Sequence, residues 1–205
     1  MICGIDEAGR GPLAGPVYAA AVILNDDFPS GFLNDSKKLS PAKRDQAEKE
    51  IRGKAFAWGI GFASHTEIDK INILQASLLA MKRAYDDMRK RHSELRGKET
   101  LSSGAAREIE PLLSDGGITV IVDGKFTPDI NARCQAMIKA DAQIPEVMAA
   151  SILAKNARDR FMEEMSLLYP QYGYEKHKGY PTKAHREAVL KYGPSPIQRL
   201  SFNVK

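Results

Sequence analysis

Acidic residues stand at three places where an apolar run stops. Asp6 and Glu7 follow Met1 to Ile5, Asp123 follows residues 118–122 (ITVIV), and Asp141 follows residues 135–139 (QAMIK). Carboxylates at strand ends project beyond the sheet, where ligands collect in open α/β folds. If those strands are neighbours, the acids converge, and convergent carboxylates repel one another unless cations hold them. Donor sets made only of oxygen favour Mg²⁺ or Mn²⁺ over zinc. Two such ions about 4 Å apart can activate a water and stabilise the leaving oxygen of a phosphodiester. Taken singly, each acid is an ordinary turn or cap residue, so the reading rests on the recurrence. Adjacent strand residues point to opposite faces. Asp6 and Glu7 can therefore serve one centre only through a bend at residues 7–9, a swung Glu7 side chain, or the Glu7 backbone carbonyl.

Gly9-Arg10-Gly11-Pro12 follows the first acidic pair directly. Flanking glycines let backbone N–H groups approach an anion, and Arg10 adds a charged fork. Alone the tripeptide is a common turn; beside the acids it reads as a phosphate grip. Ser36-Lys37-Lys38 and residues 176–181 (KHKGYP) are basic. A solvated charged face is the default for such runs, but the second interleaves cations with Tyr172, Tyr174 and Tyr180, as where a nucleic-acid strand is gripped by charge and stacking. His177 is placed beside substrate there. His65 and His185 read as capping or surface residues.

Elements must position these groups. Residues 2–5 read as a strand ended by the acidic pair, and residues 17–24 (VYAAAVIL) as a strand buried on both faces. Ser40-Pro41 opens a helix that stops near Gly53. Phe56, Trp58, Ile60 and Phe62 alternate with alanines and glycines, giving a strand with a bare face on which a helix can pack. Ser64 and Glu67 have capping-box spacing. A helix follows from about Asn72 to His92, with Leu74, Leu78, Met81, Tyr85 and Met88 as its buried stripe. Residues 89–104 read as an exposed polar excursion, with a short helix between Ala105 and Leu113. Residues 118–122 and 135–139 are strands. Pro145 opens a helix through Met165, and Thr182 caps a last helix ending near Gly193. Strands joined by hairpins, then strands alternating with helices, argue for a layered α/β domain with a mixed sheet.

The chain has 205 residues, a net charge of +4 and a pI near 9.0. It suits one domain, with residues 1–165 as a sheet-helix core and 166–205 as a C-terminal helical segment contacting substrate. The basic excess is compatible with a polyanionic partner without demonstrating one. Cys3 and Cys134 form no metal-ligand cluster. No export signal or membrane-spanning run is evident, so a cytoplasmic monomer is expected.

The motifs together resemble the ribonuclease HII family, the bacterial type 2 ribonucleases H. The stretches that carry the resemblance are residues 4–17 (GIDEAGRGPLAGPV), 33–40 (LNDSKKLS), 67–81 (EIDKINILQASLLAM), 121–125 (IVDGK), 139–160 (KADAQIPEVMAASILAKNARDR) and 169–185 (YPQYGYEKHKGYPTKAH). The resemblance implies a ribonuclease H-like α/β fold: a mixed five-stranded sheet flanked by helices, with a C-terminal helical segment. It implies cleavage of the RNA strand of RNA–DNA hybrids and nicking 5′ of single ribonucleotides embedded in DNA, the chemistry of ribonucleotide excision repair and DNA replication. Products would carry 3′-hydroxyl and 5′-phosphate ends, through hydrolysis with two Mg²⁺ or Mn²⁺ ions. It assigns Asp6, Glu7, Asp123 and Asp141 as catalytic metal ligands. Gly9, Arg10 and Gly11 would read the 2′-hydroxyl and phosphate of the scissile ribonucleotide, and Tyr180 would stack on the adjoining deoxyribose. Lys37, Lys38, Ser151 and Lys155 would contact the substrate backbone. Ala140 replaces a glycine frequent in the family before the fourth acid, and residues 89–116 are longer than usual.

Overall fold

The computed structural model describes residues 1–34, 36, 38–103 and 117–203, with the stretch 95–103 described by its backbone alone. The short helix expected between Ala105 and Leu113 lies outside the described residues. Five strands, β1 (Ile2–Ala8), β2 (Val17–Ile23), β3 (Ala57–Ala63), β4 (Thr119–Asp123) and β5 (Arg133–Met137), form one sheet in the order β3-β2-β1-β4-β5. β1, β2 and β3 pair antiparallel, while β4 joins β1 and β5 joins β4 in parallel. The sheet is mixed, as expected.

Alternation along the strands divides the core between two faces. Cys3, Ile5, Val17, Ala19, Ala21, Val120 and Val122 pack with helix α2 (His65–Ser103) on one side. Ala20 and Val22 pack on the other side with α1 (Pro41–Lys54) and α3 (Pro145–Leu168). The bare face of β3 meets α2 as expected: a Cβ on Gly59 would lie 2.2 Å from the Met88 backbone nitrogen, and one on Gly61 2.4 Å from that of Ala84. α4 (Tyr174–His177) and α5 (Lys183–Tyr192) complete the C-terminal segment, which builds a small core of Ala14, Met162, Tyr172, Tyr174 and Ile197.

The expected caps are in place. Ser40 Oγ accepts from the Lys43 amide, Ser64 and Glu67 bond reciprocally, and Thr182 Oγ1 accepts from the His185 amide. α2 carries a kink at Asn72, whose φ of 67° breaks the helix and whose side chain caps the amides of Leu74 and Gln75. Two expectations need correcting. β1 does not stop before the acids but runs through them to Ala8, because β2 offers pairing partners as far as Ala8↔Tyr18. The backbone beyond Arg89 is not an excursion, because α2 stays helical to Ser103; long Lys, Arg and Glu side chains lose little rotamer freedom in a helix.

Candidate active site

Parallel pairing of β1 with β4 runs from Ile2↔Thr119 to Ile5↔Val122. The next residues along, Asp6 and Asp123, leave that ladder side by side. Strand alternation turns both toward α3, since Ile5 and Val122 face α2. Asp141 arrives from a short 3₁₀ turn, Ala140–Ala142, that links β5 to α3. The turn is tied to β4 by the Ala140 N–H donating to Asp123 Oδ1 at 2.8 Å. Carboxylate oxygens of Asp6, Asp123 and Asp141 all lie within 4.8 Å of one another. The acids thus converge, although the β1–β4 ladder that brings Asp6 to Asp123 joins residues more than a hundred apart.

Burial, then the charges of Glu7 and Asp123, push the Asp6 carboxyl well above the usual carboxylate range. Opposing that, Asp6 accepts a hydrogen bond from Ser151 and one of 2.7 Å from the Glu7 N–H. Ser151 sits on α3 and is itself held at 2.9 Å by Ser36. α3 comes this close because Gly4 has no side chain; a Cβ there would lie 2.2 Å from the Glu146 carbonyl carbon.

Glu7 does not join the triad. β1 keeps its regular ladder through Ala8, and the first left-handed backbone angle is at Gly9, φ 100°. The chain therefore turns at Gly9, the last of residues 7–9, after the acids and too late to bring Glu7 round to the face of Asp6. The Glu7 carboxylate pairs through Oε1 with the Arg10 guanidinium at 3.3 Å, while Oε2 is buried with no hydrogen-bond partner among the described residues. Burial pushes Glu7 upward, Arg10 pulls it down, and Asp123 is close enough to push it up again.

The other expected residues gather beside this centre or face the protein. Gly11 approaches the Tyr180 ring to 3.8 Å, measured from where its Cβ would stand. Tyr180 and Arg10 are both about half exposed. Lys38 is exposed, and Lys37 lies outside the described residues. Ser151 is buried between Ser36 and Asp6. Lys155 pairs at 2.6 Å with Asp159. His177 contacts the Tyr172 carbonyl and accepts from the Gly179 N–H at 3.2 Å, so its ring shapes the turn that carries Tyr180. His185 is fully buried, not a surface residue; it stacks on His177 and bonds the Tyr180 carbonyl.

Two residues the sequence reading passed over sit against the glycine loop. Arg158 and Arg199 are almost wholly buried and donate to main-chain carbonyls of residues 9–16. A buried arginine bonded to main chain carries no motif; Arg158 continues the buried steps of four from Ala150 and Ala154 to Met162, but the charged Asp159 and Arg160 beside it make it look like a surface residue.

The donor set fits divalent cations. All three triad members offer oxygen, and the buried Glu7 Oε2 can take a fourth contact. This fold and this centre define a ribonuclease H-like, metal-dependent nuclease. The family model of ribonuclease HII matches residues 3–205. The ribonuclease HII of Treponema denticola is 53% identical over 208 residues, covering 100% of this chain and 99% of the relative. That of Dechloromonas aromatica is 45% identical, covering 98% and 90%. Among solved structures, the RNase HII of Archaeoglobus fulgidus, determined in complex with PCNA, superposes with a TM-score of 0.66 at 25% identity, covering 100% and 96%. The ribonuclease H2 of Pyrococcus horikoshii shares the fold, with a TM-score of 0.65 at 24% identity over 99% and 94%. This chain belongs to the ribonuclease HII family.

Proposed function

We propose that the protein cleaves the RNA strand of RNA–DNA hybrids and also nicks DNA duplexes 5′ of a single embedded ribonucleotide. The observation that carries this reading is continuity. The Asp6–Asp123–Asp141 triad leads through Glu7 and Arg10 to Gly11 and the exposed face of Tyr180. A carboxylate centre for phosphodiester hydrolysis is thereby joined to a surface suited to one sugar-phosphate unit.

Asp6, Asp123 and Asp141, with Glu7 as a fourth donor, are the residues that would hold two Mg²⁺ or Mn²⁺ ions. When bound, such ions lower the pKa of water and neutralise charge on the leaving oxygen, giving 3′-hydroxyl and 5′-phosphate ends. The chain's own groups do the rest. Ser151 and the Glu7 N–H fix the orientation of the Asp6 carboxylate. Arg10 holds Glu7 on one side and leaves its exposed part for a phosphate oxygen. Amides of the Gly9–Gly11 turn face the 2′-hydroxyl, the group that distinguishes RNA from DNA; it serves as a recognition handle and not as the nucleophile. Tyr180 stacks on the adjoining deoxyribose, and Lys38 and Lys155 lie along the substrate backbone. In this reading the chain acts as a single-domain cytoplasmic monomer on ribonucleotides left in DNA. Among the described residues no helix is long and apolar enough to cross a membrane.

The test is a labelled DNA duplex carrying one ribonucleotide, incubated with and without Mg²⁺ or Mn²⁺. Metal-dependent nicking on the 5′ side of the ribonucleotide is expected. No nicking, or cutting of an all-DNA control, overturns the proposal.

A further inference from the structure

The loop between β1 and β2, residues 9–16 (GRGPLAGP), has an unusual set of internal partners. A guanidinium offers five N–H donors in a fixed planar fork. In Arg199 all five are used, each by a different carbonyl of this loop. Nε bonds Gly15 at 2.7 Å, Nη1 bonds Arg10 at 3.0 Å and Pro12 at 2.8 Å, and Nη2 bonds Gly9 at 2.6 Å and Pro16 at 3.1 Å. Arg158 adds bonds to Ala14 and Pro16, both at 3.2 Å, and reaches Lys178 at 2.9 Å, beside Gly179 and Tyr180. Neither arginine forms a salt bridge among the described residues. Burying a cation without a carboxylate is costly, and here the compensation is a ring of carbonyl dipoles.

That ring has a geometric consequence. In a trans peptide the C=O and the following N–H point opposite ways. With the Gly9 and Arg10 carbonyls drawn inward to Arg199, the N–H groups of Arg10 and Gly11 are turned away from it. Outward-turned successive amides of this kind bind anions and hydroxyls, and the Gly11 end of the loop lies beside Tyr180, whose ring is 3.8 Å from where a Gly11 Cβ would stand. Arg199 itself belongs to the chain beyond α5. It is locked to the loop by its own N–H donating to the Leu13 carbonyl at 2.9 Å and by the Gly15 N–H donating to the Ile197 carbonyl at 2.8 Å. Asp69 on α2 secures the following residues by accepting from the amides of Leu200 and Ser201.

We infer that Arg199 is a positioning residue for substrate recognition: its five-carbonyl clamp aims the Arg10 and Gly11 amides at the ribonucleotide. The stretch beyond α5, which touches no substrate in this reading, then acts on specificity through the loop it holds. The inference rests on the proposed function, and the experiment separates the two.

The test substitution is Arg199→Lys, which keeps the charge but has only three donors and no fork. Two readouts are taken. Steady-state nicking of a duplex with one ribonucleotide should show KM raised about tenfold with kcat changed less than about threefold, as for loss of ground-state grip. Fluorescence anisotropy in Ca²⁺ should show that the wild type prefers the ribonucleotide duplex over an all-DNA duplex and that the variant has lost most of that preference. Ile51→Ala, a cavity under α1, serves as a control for lost stability alone and should leave KM and the preference unchanged. If Arg199→Lys does not fold, Arg158→Lys, which weakens the same clamp, is measured in its place. A folded clamp variant with wild-type KM and wild-type preference overturns the inference. A wild type that neither nicks nor prefers the ribonucleotide duplex overturns the functional reading instead.

Discussion

Three carboxylates within 4.8 Å of one another, two of them buried, hold a repulsion that the fold must absorb when no cation is present. Replacing Asp6 or Asp123 by Asn removes one like charge and keeps the shape. Such variants should melt in metal-free buffer at the wild-type temperature or above it. Cleavage should fall by about 10³-fold or more, as when a group acting as part of a unit is removed. Mg²⁺ or Mn²⁺ should raise the wild-type melting temperature through preferential binding to the folded state, and that rise should be lost in the variants. Scanning fluorimetry with a gel-based nicking assay reads all three. Near-wild-type cleavage in either variant, or no metal-dependent stabilisation of the wild type, counts against the centre. The three triad acids were legible in the sequence because each ends an apolar run. The placement of Glu7 was not, since the choice among a bend, a swung side chain and a backbone ligand depends on how far β2 pairs with β1. Arg158 and Arg199 were silent for a different reason: their partners are carbonyl groups, which every residue possesses.

Local signals at the level of elements were read well. Ser40, Ser64 with Glu67, and Thr182 cap helices as their spacing implies, because a cap involves only residues within one turn. The bare face of β3 likewise reported its partner, and it supports a prediction. Gly59→Ala would place a Cβ 2.2 Å from the Met88 backbone nitrogen and 2.4 Å from the Ala84 carbonyl oxygen. Backbone cannot step aside as a side-chain tip can, so α2 must lift from the sheet. Overpacking of this kind costs about 1–3 kcal/mol. The variant should unfold at lower denaturant while its kcat and KM well below the transition stay at wild-type values, since the contact is on the α2 face and the triad on the α3 face. Unchanged denaturation would mean that α2 does not sit this close. What escaped at this scale was non-local: the reach of β1 through its acids depends on β2, and the order β3-β2-β1-β4-β5 depends on pairings between distant segments.

Across the whole molecule, the α1–α3 contact is organised by one buried carboxylate. Glu48 of α1 is only 5% exposed. It accepts from Arg160 Nη1 at 2.7 Å and Nη2 at 2.8 Å, from Asn156 Nδ2 at 2.8 Å, and from Arg52 Nε at 2.7 Å. Arg44 with Asp159 adds a second tie between the same helices. Because α3 also carries Ser151 to Asp6, this network helps hold the active-site face in register. Burial pushes the Glu48 carboxyl up, but the bonds from Arg160, Asn156 and Arg52 outweigh it and bring it down to about 2, from an ordinary 4.5. A carboxyl depressed in the folded state binds fewer protons there than in the unfolded chain. Its stabilisation is therefore complete above the unfolded value and lost as pH falls through the folded one. Discounted for the half-exposed Arg160, that contribution is on the order of 2 kcal/mol. Glu48→Gln keeps the size and loses the charge. The variant should be less stable than wild type at pH 7, and the gap should close as acid is added between about pH 5 and pH 2. Urea melts of both proteins across that range measure it. Parallel stability curves, with a constant gap down to the most acid point, would show that Glu48 is not the group that makes this helix pair sensitive to acid.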